Sequence, residues 1–204
     1  VLIRVAGLVL AAGAGRRIGG AKALLRHGNA LLVERAAGTL HEAGCDPVVV
    51  VLGAQAALVQ ATAELNGSEV VVNRAWGSGM GSSLRAGLAA LSDSDAEAVS
   101  VVLVDMPGVT SAAVRRVAAL PYPQVLACAT YGGRRDHPML LGREHWPGIA
   151  TLANADVGAR PYLMAHAAEV LDVACDDIAD GVDIDTAQAA IEYGIAIPTQ
   201  RAAV

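Results

Sequence analysis

Along the chain, short runs of Val, Leu and Ile alternate with Ala-rich stretches whose apolar residues recur every three or four positions. The first run, at 3–10, reads as a strand followed by a loop of small residues. Residues 31–43 carry Leu32, Ala36 and Leu40 on one stripe with Gly44 just beyond, the pattern of a helix and its stop. Strands at 48–52 and 69–72 flank a helix at 54–65. A helix over 82–91 precedes a run at 99–104 that is apolar but for Ser100, which predicts a central strand. Thr110 or Ser111 is placed to cap a helix that stops before Pro121 and Pro123, and 125–131 reads as the next strand. The Gly-, Arg- and Pro-rich stretch 132–147 predicts a functional loop or a short hairpin. A helix near 160–168, a strand near 169–174 and a helix near 186–193 complete the pattern. It predicts an α/β fold with a mainly parallel sheet, and with no repeat or linker in view, residues 1–204 read as one domain.

Composition sharpens this picture. Aromatic residues make up 3% of the 204 and Phe is absent, so the core must come from Val, Leu, Ile and Ala, which suits strands covered on both faces. A net charge of −5 argues against a nucleic-acid binder and obliges any anionic ligand to find local cations. Cys45, Cys128 and Cys175 match neither zinc spacings nor a disulfide framework and read as reduced thiols packed as small apolar groups. No apolar run approaches the roughly 20 residues of a membrane span, and Arg4 and Gly7 interrupt the first run, so a cytoplasmic protein without membrane partners is expected.

In open α/β sheets, ligands gather beyond the carboxyl ends of the strands. Residues 11–22, 73–87, 105–107 and 183–185 stand at such places. In the first, Ala11, Ala12, Gly13, Ala14 and Gly15 allow close backbone approach to phosphate oxygens, and Arg16, Arg17 and Lys22 add charge. The loop is not a Walker A motif, because Ala23 follows Lys22. Nor does it match a dinucleotide fingerprint, because Gly13, Gly15 and Gly19 are spaced one residue too far. Asp105, where a buried strand runs out, suits either a Mg²⁺ ligand or a turn and cap. Asp183 and Asp185 share a face if their segment is extended, which invites a cation or proton sharing. Ser82 and Ser83 offer hydroxyls at a helix start, and no G-x-S-x-G elbow is present. His137, beside Arg134, Arg135 and Asp136, either helps to grip an anion or is an ordinary surface histidine.

Taken in order, LAAGAGRRIGGAK, NRAWGSGMGSSLRAG, VVLVDMP, GGRRDHP, ADVGARPYL and DIDT resemble the MobA-like nucleotidyltransferase family over nearly the whole chain, most closely its molybdenum cofactor cytidylyltransferase branch. The resemblance implies a Rossmann-like three-layer α/β/α fold of the nucleotide-diphospho-sugar transferase type, with a mixed, mostly parallel sheet. It implies Mg²⁺-dependent transfer of a nucleotidyl group from a nucleoside triphosphate to a phosphorylated small-molecule acceptor such as molybdopterin. A molybdoenzyme or its maturation factor would be the protein partner.

Carried onto this chain, the resemblance makes Arg17, Lys22 and Asp105 the catalytic set. Leu10, Ala11–Gly15, Arg17, Lys22, Gly79, Gly81, Ser82 and Ser83 would bind the nucleotide. Asp105 and Asp185, or else Asp183, would hold the metal. Arg134, His137, Asp156 and Arg160 would meet the acceptor. Ala12, where guanylyl relatives more often carry Gly, leans towards CTP. The chain departs from the family pattern at Ile18, at Asp136 and Ala155, where Gly is expected, and at Ala187-Gln188-Ala189 after DIDT. Attack by an ionised acceptor phosphate needs no strong general base, and no His–Asp dyad stands out in the sequence. Two rival readings remain: an NAD(P)H-dependent oxidoreductase of heterocycles, and a nucleotide sensor or chaperone without turnover.

Overall fold

The computed structural model describes residues 4–120 and 122–197. Ile3, the first residue of the first expected strand, and Pro121 lie outside them.

The first strand, β1 (Val5–Ala11), leads through a loop to two short strands, β2 (Arg26–His27) and β3 (Ala30–Leu31), and then to α1 (Leu32–Ala43). The Glu34 carboxylate accepts from the Leu31 backbone N–H, tying down the start of α1, and Gly44 ends it in a left-handed conformation at φ 90°. Next come β4 (Val48–Leu52), α2 (Ala56–Thr62), β5 (Ser68–Val72), α3 (Met80–Ala90), β6 (Ala98–Leu103) and α4 (Ser111–Val117). Thr110 caps α4 by accepting from the Ala113 N–H, as expected. The remainder is β7 (Leu126–Tyr131), β8 (Arg134–Gly142), α5 (Trp146–Leu152), α6 (Arg160–Ala165), β9 (Leu171–Ala174), α7 (Ala187–Glu192) and β10 (Ile195–Ala196).

The large sheet has the order β5-β4-β1-β6-β8-β7-β9, and only β8 runs against the others. As expected, β6 is central. The stretch read as a loop or short hairpin is instead dominated by the nine-residue β8, inserted between β6 and β7. Its charged start, Arg134-Arg135-Asp136, masks the apolar Met139–Leu141 that pairs with β6. The small strands β10-β2-β3 form a second sheet that the sequence pattern does not announce, because two-residue strands show no alternation.

Alternation along β1 divides the core. Val9 and Ala11 pack with α1, α2, α4 and α7 on one face, while Ala6, Leu8 and Leu10 pack with α3, α5 and α6 on the other. The result is a three-layer α/β/α sandwich. After β1 the chain goes first to β4 on one side and later to β6 on the other, so the order reverses between β1 and β6. A crevice beyond their carboxyl ends is the place for a ligand. None of the described helices is long and apolar enough to cross a membrane, and the three cysteines are free and buried.

Candidate functional site

The loop after β1 winds around one carbonyl: Gly15 O accepts from the N–H groups of Ile18, Gly19 and Gly20. Gly15 sits at φ 57°, and a Cβ there would lie 2.0 Å from Gly20 O, so no other residue fits. The N–H groups of Gly13, Ala14, Gly15, Arg16 and Arg17, by contrast, find no acceptor among the described residues. They border a cleft of about 610 Å³. Unsatisfied backbone donors in such an array form an anion-binding concavity.

Four charged side chains meet in this cleft. Lys22 Nζ lies 2.6 Å from Asp105 Oδ2 and 2.6 Å from Asp185 Oδ1, and Arg17 donates to Asp185 Oδ2 at 3.0 Å. Asp105 stands two positions beyond the end of β6, and its carbonyl accepts from the Ile184 N–H at 2.9 Å. Ile184 is fully buried, so its acidic neighbours are left to face the cleft, and both line it. Burial pushes the Lys22 ammonium towards losing its proton, but the charges and hydrogen bonds of Asp105 and Asp185 outweigh it and raise its pKa. The hydrogen bond from Lys22 holds the Asp185 carboxyl below its ordinary value, against a smaller effect of burial. Asp183 goes the other way: burial, and then the charges of Asp105, Asp136 and Asp185, push its carboxyl up. Among the described residues nothing donates to it.

A second cleft of about 500 Å³ opens between β8, α6 and the segment before α6, and shares Leu10, Met80, Leu103, Asp156 and Asp183 with the first. The wall between them is an interlock of the α3 start with residues 153–156. Gly79, at φ 108°, would put a Cβ 2.3 Å from the Ala155 carbonyl carbon, and Gly81 one 2.6 Å from that of Ala153. Met80 N donates to Asp156 Oδ1 at 3.4 Å, and Ala155 is held at φ 44°. That left-handed backbone is the reason a glycine suits position 155.

Most of the expected site residues meet here. Leu10, Ala12–Gly15, Arg17, Lys22, Gly79, Ser83, Asp105, Asp183 and Asp185 line the first cleft; His137, Asp156 and Arg160 line the second. Four do not reach a cleft. Ala11 is still within β1 and buried against the α1 face, and Gly81 is packed on the backbone of Ala153 and Asn154. The Ser82 hydroxyl is spent on the carbonyls of Ala75 and Gly79, at 3.1 and 2.9 Å. Arg134 lines neither cleft, because alternation along β8 gives the inward place to Arg135. Arg135 is in turn tied to Asp172 and to the carbonyls of Ala167 and Val170.

Three contributions went unread in the sequence. Trp76 lines the first cleft, packed so closely on Gly53 that a Cβ there would lie 2.5 Å from its own. Asn73, buried at the end of β5, donates to both Ser82 and Ser83 at 2.8 and 3.0 Å and sets the start of α3. The expected lack of a His–Asp dyad is also corrected: Asp136 Oδ1 accepts from His137 N at 2.8 Å and lies 3.2 Å from His137 Nδ1. A two-residue bulge places it, since Ala129 pairs with Asp136 while Cys128 pairs with Met139.

The family profile of the MobA-like NTP transferase domain matches residues 7–170. The chain belongs to that family. The nicotine blue oxidoreductase of Paenarthrobacter nicotinovorans is 41% identical over 192 residues, which take in 90% of this chain and 93% of that one. A probable molybdenum cofactor guanylyltransferase of Opitutus terrae is 35% identical over 108 residues, 53% of this chain and 51% of the relative. Among solved structures, Rv0371c from Mycobacterium tuberculosis H37Rv superposes with a TM-score of 0.83 at 27% identity, covering 95% of this chain and 98% of that one. A manganese complex of the same protein gives a TM-score of 0.78 at 26% identity over 93% and 97% of the two chains. In this chain the loop after β1, Asp105 beyond β6 and the acidic segment at 183–185 converge on a single crevice.

Proposed function

We propose that this MobA-like domain transfers a nucleotidyl group, CMP from CTP, to a small acceptor seated in the second cleft and releases pyrophosphate. The observation that carries this reading is the free N–H array of Gly13–Arg17 beside Lys22, facing the carboxylates of Asp105 and Asp185. Transfer of this kind needs positioned reactants and neutralised charge more than covalent catalysis. The N–H array binds the β- and γ-phosphates, and Lys22 and Arg17 steady the departing pyrophosphate. Trp76 and the Ser83 hydroxyl line the nucleoside end. Ala12 is the feature that leans towards cytidine.

The residues fit a divalent cation. Asp105, Asp183 and Asp185 offer only hard carboxylate oxygens, and burial, with the charges of Asp105, Asp136 and Asp185 added to it, pushes the Asp183 carboxyl up. Asp105 and Asp185, with Asp183 beside them, would hold Mg²⁺, which when bound supplies charge neutralisation at the phosphate oxygens. The manganese complex of Rv0371c supports a divalent ion in such a fold. In the second cleft Arg160, which no described carboxylate pairs, is the cation left to meet a polar group of the acceptor. If that acceptor is a molybdopterin, a cytoplasmic molybdoenzyme or its maturation factor would be the partner.

A second reading is favoured by the relative named nicotine blue oxidoreductase: reduction of a heterocycle by NAD(P)H in the same two clefts. Against it, β4 ends at Leu52-Gly53-Ala54-Gln55 with no carboxylate for a ribose diol, and the glycine spacing of the first loop is too long. Pyrophosphate release with CTP and Mg²⁺, measured beside NADPH oxidation with a heterocyclic acceptor, separates the two. Asp105→Asn should abolish the first activity; retention of normal Mg²⁺-dependent release would remove Asp105 from the metal site.

A further inference from the structure

We propose that His137, oriented by Asp136, is the general base of the second cleft, and that the acceptor therefore attacks through a hydroxyl instead of an ionised phosphate. The inference rests on the nucleotidyl-transfer reading and specifies its acceptor.

The Asp136 carboxylate receives both the His137 backbone N–H and the ring at Nδ1. An ionised carboxylate can only accept, so Nδ1 carries the proton and Nε2 of the neutral ring is an acceptor. Burial pushes the Asp136 carboxyl up, yet the hydrogen bonds from His137 outweigh it and keep it low, so the carboxylate stays ionised. Tyr131 fixes the backbone at the same point by donating to His137 O at 3.0 Å. The ring lines the second cleft, and no described residue bonds its Nε2. A ring held at Nδ1, on a residue whose backbone N–H and carbonyl are also tied, with its other nitrogen left to a ligand, is an arrangement for proton transfer.

The surroundings favour a neutral acceptor. The charged and titratable groups around the ring are Asp136 and Arg135 on β8, Cys128 on β7, Asp183, and Asp156 and Arg160 from the segment entering α6. Arg135 is committed to Asp172, and burial pushes the Cys128 thiol up to about 12, so it stays protonated. What remains is Arg160 against three carboxylates, poor company for a phosphate dianion. Met80, Met139 and Met164 give the cleft polarisable apolar walls suited to a flat ring. In the step, the acceptor hydroxyl gives its proton to Nε2 while its oxygen bonds to the α-phosphorus. The bond from that phosphorus to the bridging oxygen breaks, pyrophosphate leaves with the electron pair, and Nε2 returns its proton to solvent.

The test follows pyrophosphate release from CTP and Mg²⁺ by the full chain, offering 6-hydroxymethylpterin or its phosphate monoester across about pH 5.5 to 9. The alcohol should support release, at a rate that rises with pH on the acid side. His137→Gln should lower kcat by roughly 10²–10⁴-fold and flatten that rise, with KM for CTP unchanged. Asp136→Asn keeps the shape and an accepting Oδ1 but removes the negative charge that stabilises the ring once it has taken the proton, so it should lower kcat at least about tenfold without lowering the melting temperature. Turnover of the ester alone, or a His137→Gln variant with unaltered kcat and pH slope, overturns the inference; if CTP still raises the melting temperature and the ester reacts, nucleotidyl transfer itself survives. No stabilisation by CTP and no turnover of either acceptor removes both.

Discussion

Lys22 donates to Asp105 at 2.6 Å across 83 positions of sequence, joining the loop after β1 to the end of β6 at the point where the strand order reverses. The same ammonium reaches Asp185 at 2.6 Å, so one partly buried cation holds together the carboxylates proposed for the metal. Replacing it by an apolar chain of similar length leaves those charges facing one another. Lys22→Met should lower kcat/KM for pyrophosphate release by roughly 10²–10³-fold, the size of effect seen when one positioned charge donor is lost. Its metal-free melting temperature should fall and recover in part with a divalent cation. Steady-state kinetics and thermal melting with and without chelator check both.

The paired serines at the start of α3 should separate. Ser82 is committed to the carbonyls of Ala75 and Gly79, whereas Ser83 accepts from Asn73 and keeps its hydroxyl proton for the cleft. Ser82→Ala should cost about 1 kcal/mol of stability with little change in KM for the nucleotide. Ser83→Ala should leave stability nearly unchanged and raise KM by about 5- to 10-fold, equivalent to about 1 kcal/mol. Denaturant melts and nucleotide titrations distinguish the two.

At Ala155 the backbone is left-handed, at φ 44°. A non-glycine residue there costs about 1–2 kcal/mol, less the greater freedom a glycine has when unfolded. Ala155→Gly should therefore stabilise the protein by about 1 kcal/mol. Calorimetry should show a higher melting temperature; a lower one would mean that the Ala155 methyl group supports the interlock with α3.

The acidic segment should show opposite pH behaviour on its two sides. Asp185 is held below the ordinary carboxylate value, so its contribution is present above about pH 4 and lost as pH falls through its lowered folded value. Asp183 is pushed up, so its penalty is absent in acid and grows as pH rises past about 4 towards its raised value. Without metal at pH 7, Asp185→Asn should melt lower and Asp183→Asn higher than the parent, by a few degrees at most given solvent screening. Both differences should shrink below pH 4. Identical shifts for the two variants would contradict the assigned environments.

Much of this was legible before the fold was known. The β-branched runs and Ala-rich periods located the strands and helices that make the main sheet, because burial on both faces leaves a continuous apolar signature. Lys22 and Asp105 were legible because the one closes the loop after β1 and the other stands just beyond β6; Asp183 and Asp185 were legible from their alternation about the apolar Ile184, although no strand precedes them directly. The charged start of β8 hid a strand, since Arg134 and Asp136 read as a loop until pairing with β7 is seen. The Asp136–His137 contact depends on a bulge, which alternation alone cannot announce. Asn73 acts through hydrogen bonds to residues nine and ten positions away and Trp76 through packing on Gly53, relations that spacing along the chain does not encode.

The central claim is that the crevice between β1 and β6 binds a nucleoside triphosphate through the free N–H array and cleaves it between its α- and β-phosphates. Phosphorus NMR of the full chain with CTP, Mg²⁺ and a hydroxylated or phosphorylated pterin reads that bond directly. The account predicts growth of a pyrophosphate signal together with a new signal from the CMP-linked acceptor, both lost in Asp105→Asn. Unchanged CTP alongside oxidation of NADPH under the same conditions would contradict it.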